Sequence, residues 1–158
     1  MIDKILMRYA ERLEEYLSAF HHQPEGLATV ETIGKNRTEQ ANKLVICLLN
    51  VERATGEETP ATGRRQTDEN TLSQAPFSLN LTVVLAAVYE EHRYKESLTI
   101  LADTLRFIQS SPKFQVNGTD YTTEIVNLST PELNQVWSLL GGQYYPSVIC
   151  KIKGICIS

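Results

Sequence analysis

The chain has 158 residues, a net charge of −4 at neutral pH and ordinary shares of hydrophobic (42%) and charged (22%) residues. This length and composition predict one soluble domain over residues 1–158, large enough to fold without a disulfide or a structural metal. The acidic balance argues against a nucleic-acid partner, because surfaces that bind nucleic acid normally carry a basic excess.

The N-terminus and the apolar runs exclude two kinds of segment. Asp3, Lys4 and Arg8 interrupt the first apolar residues, so a signal-peptide core is not expected. No apolar run approaches the ~20 residues that span a bilayer. We therefore expect a protein that is made and assembled in the cytoplasm, without membrane insertion.

The cysteines indicate a reducing compartment. Cys47, Cys150 and Cys156 form no Cys-x-x-Cys pair, and all three lie within apolar strand patterns. An odd number of cysteines without a nearby histidine cluster is typical of free thiols. We expect these thiols to be buried.

The first fifty residues predict a helix and two strands. Apolar residues within 2–20 recur at three- and four-residue steps, the pattern of an amphipathic helix, which ends near His21. A short strand is predicted at 28–33 and a polar turn at 34–40. Residues 44–51 are apolar on both faces, which is typical of a central strand covered on two sides or of a sheet buried in an assembly.

Residues 53–76 are the least regular part of the chain, with little apolar content and many Thr, Glu and Gly residues. Loops of this length inside a compact domain are usually functional or disordered. Two interpretations stay open: a solvated flexible loop, or an arm that orders only against a neighbouring subunit or partner. The position between two strong strands favours a long hairpin arm that projects from the sheet.

The second half of the chain alternates strands and helices. Residues 77–88 alternate between an apolar face and a face that is wetter at its start, as in a strand. A second amphipathic helix is predicted at 94–108, and the Ser-Ser-Pro sequence at 110–112 ends it. Asn117-Gly118 is a turn signal, and residues 121–127 form a further strand.

A third helix begins with a capping box. Ser129 and Glu132 have the Ser-x-x-Glu spacing in which each side chain bonds a backbone N–H of the other residue. Pro131 fits the first helical turn, and Leu128 and Leu133 flank the box as a hydrophobic staple. These positions predict a capped helix that begins at this box.

The third helix has an equally clear end. Gly141 and Gly142 supply the positive φ that a helix stop requires, and Pro146 prevents continuation. A terminal strand follows at 147–157. Together the elements predict an α/β (α+β) fold: a two-layer domain with a mostly antiparallel or mixed sheet packed by three helices, and a projecting loop or hairpin arm at 53–76.

This order of segments resembles the tail-terminator (cap) proteins of phage-tail-like contractile injection systems. The likeness is strongest in Trp137-Ser138-Leu139-Leu140-Gly141-Gly142, which Tyr144-Tyr145-Pro146-Ser147-Val148 follows. It extends upstream, in order, to 42–52 and 77–87, which look like the family's first and second core strands, to 94–114, which matches the helix that follows, and to 125–128. It therefore covers most of the chain, with 53–76 outside the matching segments.

The resemblance implies a structural role. Proteins of this family form a ring, six-fold in related tails, on the end of the inner tube and contractile sheath, and they stop tube polymerisation. It implies as partners further copies of the chain in a hexameric ring, together with the inner-tube and sheath proteins. It implies no cofactor, and an assembly in the cytoplasm that becomes part of a particle released from the cell.

Six residues are candidates for contacts within such a particle: Arg64 and Arg65 in the arm, Tyr144 and Tyr145 after the helix stop, and Lys151 and Lys153 on the terminal strand. The paired arginines are either solvated or contacts for an acidic partner, and the tyrosines are expected to be exposed. Trp137 is either a core residue or an anchor between subunits, since Trp is enriched in binding hot spots.

Residues that could support catalysis or metal binding occur without the partners that such sites need. His21 and His22 lack a third ligand at a recognisable spacing. His92 follows two glutamates, a pattern more typical of a solvated helix N-terminus than of acid–base catalysis. The sequence therefore predicts no catalytic, metal or cofactor site, and we do not expect an enzyme. Two alternatives stay open: a generic oligomeric adaptor of another cytoplasmic complex, and an enzyme whose site assembles between subunits.

Overall fold

A computed structural model describes residues 1–22, 26–34, 41–54 and 77–157. Its helices are α1 (Ile2–His21), α2 (Tyr94–Ser110) and α3 (Thr130–Leu139), and a short 3₁₀ turn, Glu91–Arg93, precedes α2. Its strands are β1 (Ala28–Val30), β2 (Lys43–Arg53), β3 (Phe77–Val88), β4 (Lys113–Val116), β5 (Thr119–Ile125) and β6 (Ser147–Ile157). Three helices and a mixed sheet confirm the α+β prediction.

The six strands form one sheet in the order β1-β2-β3-β6-β5-β4. Only β1 and β2 run parallel; the other neighbours are antiparallel. The sheet curls around α1, so that Val30 on one edge strand and Val116 on the other line the same groove beside that helix. Helix α1 also contacts both edges through hydrogen bonds: Glu14 accepts from the N–H of Ala28 at 3.1 Å, and Arg12 donates to the C=O of Lys113 at 3.0 Å.

The sheet has two different faces. The main core lies between one face and helices α1 and α2, with Tyr9, Leu13, Leu85 and Ile152 among its fully buried members. A smaller apolar cluster lies on the other face, where Trp137 of α3 packs with strand residues such as Val84. The domain therefore has two layers over most of its area, and α3 adds a partial third layer.

Strand β2 explains the apolar run at 44–51. Leu44 and Ile46 belong to the main core, while Val45 and Cys47 belong to the smaller cluster. This confirms the interpretation of a strand covered on two sides, for its first half. Beyond a register shift between Leu48 and Asn50 the strand is more exposed.

Four sequence-based boundaries or exposures are corrected. The first strand is shorter than 28–33: it covers only Ala28–Val30, although Ile33 still packs against the smaller apolar cluster. The likeness placed 94–114 in one helix, but α2 ends at Ser110 and Phe114 lies in β4, a strand that the sequence did not predict. Strand β5 covers Thr119–Ile125 instead of 121–127. Cys156 is exposed, whereas Cys47 and Cys150 are buried as expected.

The helix signals near the C-terminus are confirmed atom by atom. The N–H of Glu132 donates to Ser129 Oγ at 3.3 Å, and the N–H of Ser129 donates to Glu132 Oε1 at 2.9 Å. The backbone N–H of Ser129 lowers the pKa of the Glu132 carboxyl below its ordinary value. Gly141 and Gly142 have φ of 111° and 88°, and the N–H of Gly142 closes the helix on the C=O of Trp137 at 2.7 Å.

Candidate functional site

The half of the outer sheet face that α3 leaves open carries alternating charges. Lys151 Nζ lies 3.4 Å from Glu52 Oε1, and Lys153 Nζ lies 2.9 Å from Glu124 Oε1. Thr82 donates to the same oxygen of Glu52 at 3.2 Å. These pairs cross β2, β3, β6 and β5 because their side chains point to one face of the sheet. We call Glu52, Lys151, Glu124 and Lys153 the charged ladder.

The charged ladder is not a cationic patch. Each lysine is paired within the subunit and is about one-third exposed, with side-chain exposures of 28% and 30%. A partner would therefore meet a row of alternating signs, which favours register and selectivity over raw affinity. The contact role of Lys151 and Lys153 stays a prediction. As contacts, they would present ion pairs to a partner instead of isolated positive charges.

An aromatic cluster closes the other half of this face. The ring of Trp137 lies 5.4 Å from that of Tyr144 and 6.0 Å from that of Tyr145, both edge to face. Trp137 is buried, as its core interpretation requires, and Tyr144 is 57% exposed. Tyr145 is buried, so the expectation that both tyrosines are exposed is wrong for this one. The Tyr145 side chain belongs to the smaller apolar cluster, where it packs against Trp137.

Helix α3 is held to the domain by few buried side chains. Trp137 is the one residue of the helix that is fully buried, while Leu133 and Val136 are only partly covered. Leu139 is 81% exposed, more than any other large hydrophobic residue of the described ranges. Leu139 lies beside Asn134, Gln135 and Ser138, whereas Tyr144 lies against Trp137, so each adds one exposed apolar side chain at a different place on this part of the domain.

A hydrogen bond to a buried carboxylate joins α1 to α2. His21 Nε2 lies 2.8 Å from Asp103 Oδ2, and Arg106 bonds the other carboxylate oxygen. Asp103 is a buried carboxylate, with a side-chain exposure of 9%. The sequence analysis missed this pair, because 82 residues separate its members and no spacing rule connects them. It fastens the end of α1 and has no third metal ligand beside it: the described residues contain no cluster of three metal-binding side chains.

The remaining reactive side chains that the sequence singled out are the buried cysteines and His92. Burial raises the pKa of the Cys150 thiol to about 12, and burial also raises the pKa of Cys47. Both thiols are therefore protonated at neutral pH and are poor nucleophiles. His92 lies in the exposed turn before α2, 3.7 Å from Glu90.

Among the helices of the described ranges, none has the length and apolar content to cross a bilayer.

Two predicted contacts cannot be placed. Arg64 and Arg65, with the whole of 55–76, lie outside the described residues. Only the base of the predicted arm is described: β2 ends at Arg53, β3 begins at Phe77, and the N–H of Ala54 donates to the C=O of Ser78 at 2.8 Å. The Arg53 guanidinium lies over the Phe77 ring, 5.3 Å from its centre. The two strands therefore stay paired up to the point where the arm begins.

This fold is shared with terminator proteins of contractile injection systems. One is the sheath/tube terminator of an extracellular contractile injection system, PVC, in its extended state: TM-score 0.67, 11% identity, covering 100% of this chain and 57% of that chain. Another is the tube-terminating cap of the anti-feeding prophage, with a TM-score of 0.54 and 11% identity. That match covers 96% of this chain and 54% of the cap chain. No curated protein sequence matches the chain. At this identity the structural likeness shows the fold alone.

The sequence assigns the family. The pattern of the Pvc16 N-terminal domain matches residues 7–158, and the chain therefore belongs to the Pvc16 N-terminal domain family. The resemblance to tail terminators drawn from the sequence is thereby confirmed. This chain spans little more than half the length of the two terminator structures.

Proposed function

We propose that this chain is a structural terminator of a contractile, phage-tail-like injection particle. Copies of it form a closed ring of six that ends the inner tube and holds the far end of the sheath. One observation carries the proposal: nearly the whole chain matches a terminator family in sequence, and all of it matches a sheath/tube terminator in fold. Its partners are other copies of itself and the tube and sheath proteins.

A closed ring of identical subunits needs two different patches on each subunit, because its contacts run head to tail and close by rotation. The outer face of the sheet offers two surfaces of different character. The charged ladder is polar and alternating in sign, whereas α3 and the turn after it expose the apolar side chains of Leu139 and Tyr144. The arm at 55–76, with Arg64 and Arg65, supplies a further contact by reaching a neighbouring subunit, where it completes a sheet by strand addition.

Termination itself makes a modest physical demand. One side of the ring matches the last ring of the tube, and the other side offers no site for a further ring. This role needs no catalytic group, cofactor or metal, and the thiols held protonated by burial fit a structural protein. The ring is assembled in the cytoplasm and leaves the cell as part of the particle.

The proposal is tested by electron microscopy of particles from cells that lack the gene. Overlong, uncapped or unstable tubes and sheaths are expected, and the wild-type gene supplied in trans should restore normal ends. Particles of normal length with normal ends would contradict the proposal, and the adaptor interpretation would then lead.

A charge exchange tests the charged ladder specifically. Lys153→Glu combined with Glu124→Lys keeps an ion pair within the subunit but exchanges the positions of its charges. If the ladder is a contact, this double variant folds normally and fails to restore tube ends. Lys95→Glu, on the exposed side of α2, serves as the control and should restore them. Full restoration by the double variant would exclude the ladder from the contacts.

A further inference from the structure

The open edge of β4 carries a cationic notch. Its lining residues are Arg8, Arg12, Lys113, Phe114, Gln115 and Asp120. We call this set the edge notch. Three of its side chains are cationic and one is anionic, on a chain whose net charge is −4. Gln115 Nε2 donates a hydrogen bond to the Asp120 carboxylate at 2.8 Å, so the one anionic side chain of the notch already has a partner.

The cations of the edge notch are available to an anion. Arg12 donates one N–H to the C=O of Lys113 at 3.0 Å, which fixes its guanidinium at the strand edge and leaves its other N–H groups for another acceptor. Within the described ranges neither Arg12 nor Lys113 forms an ion pair. Arg8 lies 3.4 Å from Glu11 in an exposed pair that holds it weakly.

The backbone at this edge is arranged to accept a strand. The N–H of Thr123 donates to the C=O of Pro112, and the antiparallel register then pairs Lys113 with Thr122 and Gln115 with Asp120. Hydrogen-bonded and open pairs alternate in such a ladder, so the N–H and C=O groups of Lys113 and Gln115 point away from β5. Because Arg12 already donates a hydrogen bond to the C=O of Lys113, an incoming strand would form its backbone hydrogen bonds with Gln115.

From this edge and its charges we infer that the edge notch binds the acidic segment 55–76 of a second copy of this chain. That segment has four acidic residues and two basic ones, with acidic pairs at Glu57-Glu58 and Asp68-Glu69. Neighbouring residues of an extended segment project to opposite sides, so one carboxylate of each pair faces the notch in either orientation. Like charges also prevent two β4 edges from pairing with each other.

The inference rests on the proposed ring, which needs a donor and a different acceptor on each subunit. The segment leaves from β2 and β3, and the acceptor lies on the far edge of the sheet beyond β6 and β5. Half of the segment, fully extended, reaches about 35 Å, which is about the width of a domain of this size. The donor can therefore reach a neighbouring subunit.

A peptide titration tests the inference without a ring or a tube. A fluorescent peptide of residues 55–76 is titrated with the full chain, and binding is followed by anisotropy. We expect saturable binding that weakens with salt, and a loss of affinity of about ten-fold or more for Arg12→Glu. Lys113→Glu should behave in the same way, and it provides a second variant should Arg12→Glu fold poorly. Lys95→Glu makes the same change in charge on α2 and should bind as the wild type does.

Three outcomes would overturn the inference. One is the absence of peptide binding at ~1 mM of the wild-type chain. Another is equal binding by a peptide in which Glu57, Glu58 and Glu69 become Gln and Asp68 becomes Asn. The third is binding that leaves the backbone amide signal of Gln115 unmoved in an NMR spectrum, since the peptide would then lie elsewhere. Because particle ends are scored separately by microscopy, a failure of this inference can be told apart from a failure of the proposed function.

Discussion

Trp137 holds the smaller apolar cluster together through its ring. It is 4% exposed, packs with Tyr144 and Tyr145, and reaches strand residues on the outer face of the sheet. Its indole Nε1 is buried without a hydrogen-bond partner among the described residues. A buried N–H without a partner costs free energy, so the contribution of this residue to stability comes from packing.

Substitution at Trp137 should separate these two effects. We expect Trp137→Ala to lower the free energy of unfolding by about 3–5 kcal/mol, the usual loss for a large buried aromatic side chain. Trp137→Phe should cost less than half as much, because it keeps an aromatic ring and removes the unpaired N–H. Urea unfolding measures both. Equal losses for the two variants would show that the nitrogen has a partner or that the exact ring shape dominates.

The pair between His21 and Asp103 should matter more than the pair between Arg106 and Asp103. His21→Ala removes the partner that bonds the buried Asp103 carboxylate from α1, and hydrogen bonds to charged groups contribute about 1.5–3 kcal/mol. The Arg106 side chain is 65% exposed, so Arg106→Ala should cost less than about 1 kcal/mol. Thermal unfolding at neutral pH compares the two. A larger loss for Arg106→Ala would reverse this ranking.

At the scale of elements, α3 depends on its first turn because so little of it is buried. Ser129→Ala removes the acceptor for the N–H of Glu132 and should cost about 1 kcal/mol. Ser138→Ala, an exposed serine later in the same helix, is the matched control and should change stability little. Equal effects of the two substitutions, by chemical denaturation, would mean that the cap does not limit the stability of this helix.

The same cap makes stability depend on pH. The folded pKa of Glu132 lies below its ordinary value of 4.5, chiefly because the N–H of Ser129 bonds its carboxylate. Its stabilisation is therefore fully present above pH 4.5 and is lost as the pH falls through the lower, folded value. Glu132→Gln does not titrate, so the melting-temperature difference between wild type and variant should shrink from pH 7 to pH 3. A constant difference would argue against a charged cap.

Strand β6 depends on a glycine at its register shift. Gly154 has φ of 104°, and a Cβ there would meet the backbone oxygen of Asp120 at 2.9 Å. Gly118→Ala, in the turn between β4 and β5, is the comparison, because its φ is 82° but nothing lies within 4 Å of its Cβ position. We expect the turn variant to lose about 1–2 kcal/mol from backbone strain. Gly154→Ala should lose clearly more, and equal losses in urea unfolding would show that the neighbouring strand yields.

At the scale of the whole molecule, the described core is complete without the segment between β2 and β3. Both strands keep their register with each other and with β6 up to Arg53 and Phe77. Deletion of residues 56–73 should therefore leave a folded monomer with a cooperative thermal transition. The same variant should fail to restore normal particle ends, since the arm is its proposed contact with a neighbour. An unfolded product would refute the assignment of this segment as an arm.

Local chemistry in the sequence determined much of this protein. The capping box, the glycine stop, the apolar stripes of α1 and α2, and the alternation of β3 are all set by neighbours within a few residues. These signals predicted three helices, most strands and the mixed α+β class. They did not predict β4, because its four residues carry too short a pattern to distinguish from a loop.

Only the tertiary structure decided which side chains meet across the sheet. The ion pairs of Lys151 and Lys153, the burial of Tyr145 and the bond from Arg12 to the edge of β4 each join elements that are distant in sequence. Register and curl place them together, and neither is encoded by local spacing. The family can therefore be read from the chain, whereas its contact surfaces depend on how the sheet brings distant residues to one face.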